Sequence, residues 1–215
     1  MAHFRLHGFP QSGNTYKIAL YLTCSGLDWE LVAVDFFGGE TRTPEWRARV
    51  NEMGEVPVLE VDGHKLTQSG AILTRLAETT GHFAPKAAED RHEALRWILY
   101  DNYRFTNYFA TRRYLKSFAP DAPHPSVLEF LKGRADASLG VVDKHLAASA
   151  FMLGTEPTIA DFSLIGYMYF PTEETGYDLA VSHPNIHAWR ERMKTLPGWK
   201  HPYDLIPGKR IEPRR

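Results

Sequence analysis

The spacing of hydrophobic residues along the chain changes near Gly81. Before it, apolar–polar alternations typical of strands separate segments with the spacing of amphipathic helices. The predicted order is strand, helix, strand, helix, strand, strand, helix, over AHFRLH, NTYKIALYLTCSG, WELVAVDF, TPEWRARVN, VPVLEV, HKLTQ and SGAILTRLAETTG. Asp62 and Gly63 predict a hairpin turn, and Ser69 is the predicted N-cap of the last helix. A small α/β domain is therefore expected over residues 1–81.

Only helical spacing remains after a linker, HFAPKAAED. The segment DRHEALRWILYDNYRFTNYFATRRYL is predicted to be one long helix whose buried face is formed by Leu95, Ile98, Leu99, Phe105 and Phe109. Further helices are predicted in SVLEFLKGRADASLGVVDKHLAAS, PTIADFSLIGYMYF and PNIHAWRERMKTL. The second domain, residues 89–206, is therefore expected to be all-α.

The composition narrows the class of protein. With 43% hydrophobic and 24% charged residues, the chain is typical of a globular protein. The net charge of −1 favours neither nucleic acid nor an anionic membrane, and no apolar run reaches the ~18 residues of a membrane span. The only cysteine is Cys24, which excludes an intramolecular disulfide, and the N-terminus lacks a signal-peptide pattern. From these features we expect a cytoplasmic protein. We expect no metal site, because the histidines show no ligand spacing.

Two motifs of the first domain carry candidate chemistry. In NEMGEVPVLEVDG, Pro57 opens an apolar strand, and on its own it is read as a trans proline at a sheet edge. In LTQSGAILTRLAE, a helix start at Ser69 would present backbone N–H groups that attract a carboxylate or phosphate, and Gln68 adds an amide. Taken alone, this second motif is an ordinary capped helix.

Together these motifs resemble the glutathione transferase family. The resemblance rests on a Ser near the first helix, the runs NxxGxVPxLxxDG and TQSxAIL, and the order of the elements, and it covers essentially the whole chain. GTEPTIADFSL resembles the family's buried capping box, with Thr158 as the N-cap and Asp161 as its partner three residues later. The resemblance implies a thioredoxin-like N-terminal domain followed by an all-helical C-terminal domain, in an enzyme that uses glutathione as co-substrate.

The resemblance also implies a binding mode for glutathione. The backbone of Val56, beside a cis Pro57, would pair with the cysteinyl part, and Gln68 and Ser69 would hold the γ-glutamyl end. Family members often carry Lys, Arg or Gln at the position of Glu55, so an acid there is expected to repel the glycyl carboxylate.

The stretch FPQSGNTYKIALYL supplies the catalytic candidates. The thiolate is the nucleophile, and a free thiol with a pKa of about 8.5 is mostly protonated at pH 7. Ser12 is the first candidate donor to the sulfur, although it would equally serve as a helix cap. Asn14 is the second candidate and matches a bacterial class that reduces disulfide bonds; Tyr16 is the third. Cys24 lies about three turns along the helix, too far to be the reacting thiol.

The electrophile is expected between the two domains. Its candidate walls are Phe9, Phe36, Tyr108, Phe109 and Arg112, and core packing explains each of them equally well.

Partners and activity follow from the resemblance. It implies a homodimer, in which Asp101 is a candidate to complete the γ-glutamyl site of the partner subunit. The first hypothesis is a detoxifying transferase that conjugates glutathione to small hydrophobic electrophiles. The alternatives are a glutathione-dependent disulfide reductase or peroxidase on the same fold, and a non-catalytic binding module.

Overall fold

The computed structural model describes residues 3–214. They form two compact units, one running up to His82 and including 196–210, the other spanning 83–195 and the residues from Ile211 onward. The first unit contains a four-stranded sheet with helices, and the second is helical. The predicted α/β domain followed by an all-α domain is therefore confirmed. Residues 196–206, assigned to the second domain from sequence, group here with the first unit.

The first unit is built on a mixed sheet. Its elements are β1 (Phe4–Gly8), α1 (Gly13–Cys24), β2 (Trp29–Ala33), a 3-10 turn (Glu40–Arg42), α2 (Pro44–Arg49), β3 (Val58–Val61), β4 (His64–Thr67) and α3 (Ser69–Thr80). The strand order is β2-β1-β3-β4; β2 runs parallel to β1, while β3 is antiparallel to both β1 and β4. The hairpin turn at Asp62 and Gly63 has φ values of 49° and 77°, as a two-residue turn of this kind requires.

The core of this unit follows from the alternation of side chains along the strands and from the helical spacing of apolar residues. Leu6 and Leu59, opposite each other in β1 and β3, are fully buried, as are Ile18 of α1 and Ile72 of α3. Gly8 ends β1 where α1 comes close, because a Cβ atom there would lie 2.2 Å from Cγ2 of Thr15. This close approach brings the start of α1 to the end of the central strand.

The second unit contains helices of very different length. They are α4 (Ala88–Tyr100), a π-helical turn (Asp101–Phe105), α5 (Thr106–Ser117), α6 (Pro125–Leu146), α7 (Ile159–Leu164), a 3-10 turn (Ile165–Tyr167), α8 (Thr172–Thr175), α9 (Leu179–Ser182) and α10 (Pro184–Met193). The chain then returns to the first unit, where α11 (Pro202–Leu205) lies against α1.

The predicted single helix over residues 90–115 is interrupted. The N–H of Thr106 donates to the carbonyl of Asp101, five residues earlier, and its hydroxyl donates to Oδ1 of Asp101 at 2.5 Å. This doubled contact holds the chain in the wider π turn.

The prediction of which residues form the buried face of that helix is partly wrong. Leu95 and Leu99 are 47% and 59% exposed. The buried face of α4 is formed instead by Ala94, Trp97 and Ile98, and the two leucines lie beside it. The other three residues of the prediction, Ile98, Phe105 and Phe109, are buried.

The predicted capping box is confirmed. The hydroxyl of Thr158 accepts a hydrogen bond from the N–H of Ala160, and Oδ2 of Asp161 accepts one from the N–H of Thr158 at 2.9 Å. Because Asp161 is fully buried, this box fixes the start of α7 inside the helical unit.

Candidate functional site

Three loops meet at one end of the four-stranded sheet. Strand pairing sets His7, near the end of β1, opposite Val58 at the start of β3, and sets Val58 opposite Thr67 at the end of β4. The loop after β1, the loop before β3 and the start of α3 therefore leave the sheet on the same side. Together they carry the predicted residues Ser12, Asn14, Glu55, Val56, Pro57, Gln68 and Ser69.

Ser12 is the N-cap of α1. Its Oγ atom accepts a hydrogen bond from the N–H of Thr15 at 3.1 Å, and the residue is only 5% exposed. The bond uses a lone pair of the hydroxyl oxygen, so the O–H proton of Ser12 stays available for donation. Capping and contact with a ligand sulfur, which the sequence analysis did not treat as exclusive, are compatible in this geometry.

The other two candidate donors differ from each other. Asn14 lies in the first turn of α1, half-buried, and its Oδ1 atom is buried without a hydrogen-bond partner among the residues described. Tyr16 is fully buried, and its hydroxyl donates to the carbonyl of Lys200 at 2.9 Å. Tyr16 therefore belongs to the core of the first unit, whereas Asn14 keeps an unmet acceptor.

Cys24, at the end of α1, does not supply a nucleophile. The residue is half-buried, and burial raises the pKa of its thiol to about 12. The thiol is therefore protonated at neutral pH.

The loop before β3 presents unpaired backbone. The Val56–Pro57 peptide bond is cis, as the resemblance implied. Between residues 3 and 214, neither the N–H nor the C=O of Val56 has a hydrogen-bond partner. An extended peptide lying along this loop has a donor and an acceptor to pair with.

The start of α3 differs from the prediction by one residue. The first intrahelical bond runs from the N–H of Ile72 to the carbonyl of Gln68, so the N-cap is Gln68 and not Ser69. Gln68 has φ 65° and ψ 110°, and its side chain forms no capping bond. Ser69 is the first helical residue and is 6% exposed. The N-terminus of α3 is therefore left uncapped by side chains.

Glu55 lies against this helix start. Nε2 of Gln68 donates to Oε2 of Glu55 at 2.9 Å and lies 3.2 Å from Sδ of Met53. Sequence spacing gave no sign of this contact, since the two residues belong to different loops.

Two of the predicted electrophile walls meet in the first unit. The rings of Phe9 and Phe36 are stacked, with centroids 4.7 Å apart. Phe37 packs edge-on against both, at 5.4 Å from Phe9 and 5.6 Å from Phe36. All three rings are partly exposed, and Phe9 accepts a backbone hydrogen bond from Ser12. Sequence analysis missed Phe37, although the FF pair before two glycines marks an aromatic loop tip.

The three predicted walls from the second unit have different surroundings. Tyr108 is half-buried on α5. Phe109 is buried and stacks on Tyr177 at 5.2 Å, and the buried Arg112 donates to the carbonyl of Thr175 at 2.7 Å. Phe109 and Arg112 therefore have the packing role that the sequence left open for them.

Asp101 does not have the role suggested for it. Its side chain is completely buried and accepts hydrogen bonds from the hydroxyls of Thr106 at 2.5 Å and Ser163 at 2.6 Å. A carboxylate held in this way is not available to a ligand of a partner subunit, so the suggestion from sequence was wrong.

Within residues 3–214, no group of three or more His, Cys, Asp and Glu side chains is arranged to hold a metal ion. In the same range, every helix is too short or too polar to cross a membrane.

Comparison with known families assigns both halves of the chain. Residues 2–78 match the model of the glutathione S-transferase N-terminal domain, and residues 109–192 match that of the C-terminal domain. A crystal structure of a glutathione S-transferase from Pseudomonas fluorescens superimposes with a TM-score of 0.84 at 33% identity, over 94% of this chain and 99% of that one. The chain belongs to the glutathione S-transferase family.

Relatives within this family carry different names. A maleylacetoacetate isomerase of Rhizobium meliloti is 32% identical over 76% of this chain and 79% of its own length. The disulfide-bond oxidoreductase YfcG of Escherichia coli is 28% identical over 88% of this chain and 89% of its own length. Membership of the glutathione S-transferase family therefore assigns the fold, while the reaction depends on the site.

Proposed function

We propose that this glutathione S-transferase family member is a cytoplasmic, detoxifying enzyme that conjugates glutathione to small hydrophobic electrophiles. The observation that carries the proposal is the convergence of Ser12, Val56 and Ser69 at one end of the sheet. In the reaction, the glutathione thiolate forms a bond to an electrophilic carbon, and the leaving group departs with its electron pair. The protein contributes position and stabilisation of the thiolate.

Glutathione would lie extended along the uncovered backbone. The N–H and C=O of Val56 suit the cysteinyl part, because they have no other partner within residues 3–214. The uncapped first turn of α3 and the hydroxyl of Ser69 suit the α-carboxylate of the γ-glutamyl end. Gln68 adds an amide at the same place.

The start of α1 would hold the sulfur. Lowering the thiol pKa by two units requires about 2.7 kcal/mol. A hydrogen bond to a charged group contributes about 1.5–3 kcal/mol, and a helix N-terminus adds about 0.3–1 kcal/mol. The O–H of Ser12 together with the first turn of α1 is therefore sufficient in magnitude, and Ser12 is the donor we propose.

The electrophile would contact the cluster of Phe9, Phe36 and Phe37, which adjoins the Ser12 loop. Tyr108 of the second unit, whose side chain is partly exposed, stays a prediction from the sequence alone. Aromatic rings offer apolar surface that accepts many small compounds.

A homodimer is part of the proposal. Leu95, Leu99 and Tyr103 are 47%, 59% and 66% exposed, and they follow one another at four-residue spacing. Such a row of large apolar side chains is typical of a surface that another subunit covers. Light scattering on the purified protein tests this, and Leu99→Lys is expected to shift a dimer towards monomer.

The test of the reaction separates capping from sulfur contact. Glycine is nearly as good an N-cap as serine, so Ser12→Gly removes the hydroxyl at a cost of only a few tenths of a kcal/mol. We expect the pKa of bound glutathione, titrated by the ultraviolet absorbance of the thiolate, to rise by about one unit or more. Conjugation of 1-chloro-2,4-dinitrobenzene should fall by about tenfold or more. An unchanged thiol pKa in Ser12→Gly would exclude Ser12 as the donor.

A glutathione-dependent disulfide reductase is the second candidate. The observation that favours it is the buried, unpartnered Oδ1 of Asn14, together with the similarity to an oxidoreductase. There, two glutathione molecules are oxidised to the disulfide while the substrate disulfide is reduced to thiols. Turnover of hydroxyethyl disulfide exceeding conjugation, and lost in Asn14→Ala, would favour this reaction. Binding of glutathione without either activity would leave a non-catalytic module.

A further inference from the structure

Glu55 presents a carboxylate without a cation at the start of α3. Its Oε2 atom accepts a hydrogen bond from Nε2 of Gln68 at 2.9 Å. Among the described residues, no Lys, Arg or His side chain forms an ion pair with Glu55. The Glu55 carboxylate therefore lies beside Gln68 with no cationic side chain paired to it among the described residues.

The backbone that carries Glu55 is held in place. Nδ2 of Asn51, which is 5% exposed, donates to the carbonyl of Glu55 at 2.9 Å. Gly54 has φ +69°, and a Cβ atom there would lie 2.7 Å from Nη2 of Arg47 and 2.8 Å from the carbonyl oxygen of Thr41. The loop therefore has little freedom to carry the carboxylate elsewhere.

The charge has a natural counterpart in the proposed ligand. The γ-glutamyl end of glutathione carries an α-carboxylate and an α-ammonium group on the same carbon. The first turn of α3 and Ser69 suit the carboxylate, but neither they nor the neutral Gln68 bring a negative charge to the ammonium group. Glu55 supplies the missing anion a hydrogen bond away from Gln68.

We propose that Glu55 binds the α-ammonium group of glutathione, so that the site selects ligands with a free α-amino end. This assignment rests on the proposed function. It also reverses the expectation from sequence, in which Glu55 repels the glycyl carboxylate at the other end of the tripeptide. The two assignments require opposite effects when the charge of Glu55 is removed.

Three S-methylated ligands separate the two ends without involving the thiol. They are S-methylglutathione, the glutaryl-cysteinylglycine analogue that lacks only the α-ammonium group, and the glycinamide analogue that lacks only the glycyl carboxylate. Calorimetry measures Kd for each with the full-length wild type and with Glu55→Gln, which keeps the size of the side chain. Glu52→Gln, at an exposed carboxylate three residues earlier, is the matched control.

In Glu55→Gln, Kd for S-methylglutathione and for its glycinamide is expected to rise by about three- to tenfold, while Kd for the glutaryl analogue stays unchanged. Glu52→Gln should leave all three unchanged. Tighter binding of the ligands that keep the glycyl carboxylate, or an unchanged Kd for S-methylglutathione, overturns the assignment alone. Failure of the wild type to bind any of the three overturns the proposed function with it.

Discussion

The N-termini of α3 and α7 differ in their residues and in how their backbone N–H groups are satisfied. At α7, the side chains of Thr158 and Asp161 accept hydrogen bonds from backbone N–H groups at the start of the helix. At α3, Gln68 occupies the N-cap without a side-chain bond, and Ser69 is already helical. The helix start is therefore closed by side chains in one unit and left open in the other.

The difference indicates which helix start is structural. Asp161 also accepts hydrogen bonds from the N–H of Met152 and from Nε1 of Trp189, both at 2.9 Å, and is completely buried. No capacity is left for a ligand. At α3 the free donors lie next to the uncovered backbone of Val56 and the carboxylate of Glu55. An unsatisfied helix start is costly unless something external completes it, which is why we place the ligand there.

The largest expected effect comes from breaking the closed helix start. Asp161→Ala leaves buried donors of Thr158, Met152 and Trp189 without an acceptor, so the free energy of unfolding should fall by about 3–5 kcal/mol. Urea unfolding measures this. Asp178→Ala, which removes the exposed cap of α9, is the control and should cost about 1 kcal/mol. Equal losses in the two variants would contradict the special role given to the buried box.

A smaller effect is expected in the pH dependence of stability. Burial raises the pKa of Asp161 to about 6 in the folded chain, above the unfolded value of about 3.9. The folded state therefore binds more protons in this window, and the free energy of unfolding falls as pH rises from about 4 to about 6. The fall should amount to about 2–3 kcal/mol relative to Asp161→Asn, which cannot titrate. Parallel profiles of the two proteins in urea unfolding would refute the shifted pKa.

The smallest effects are expected from a single alanine substitution at each of the two helix starts. Thr158→Ala should lower the free energy of unfolding by about 1–2 kcal/mol and leave the Kd for glutathione unchanged. Ser69→Ala should leave stability within about 0.5 kcal/mol and weaken glutathione binding by about three- to tenfold. Urea unfolding and calorimetry on both variants provide the four numbers. Loss of stability without loss of affinity in Ser69→Ala would make α3 an ordinary capped helix.

Much of the fold was predictable because its causes are local. The hairpin at Asp62 and Gly63, the end of α3 at Gly81 and the box at Thr158 and Asp161 depend on residues within a few positions of one another. The resemblance to glutathione transferases likewise rested on contiguous motifs. Such features can be predicted from the sequence, because propensity, periodicity and capping depend on residues within a few positions of one another.

The features that sequence analysis missed depend on partners far along the chain. The shift of the N-cap to Gln68, the exposure of Leu95 and Leu99, and the burial of Asp101 against Ser163 each depend on which surface the fold covers. Periodicity gives the direction of a side chain but not the identity of its neighbour.

The sequence by itself determined the order of strands and helices, the two kinds of domain and the residue types available for chemistry. Only the tertiary structure decided that the loop of Ser12, the loop of Glu55 and the start of α3 share one end of the sheet. The physical reason is that strand register joins residues separated by tens of positions, and hydrogen bonds such as that from Gln68 to Glu55 form only after the register is set.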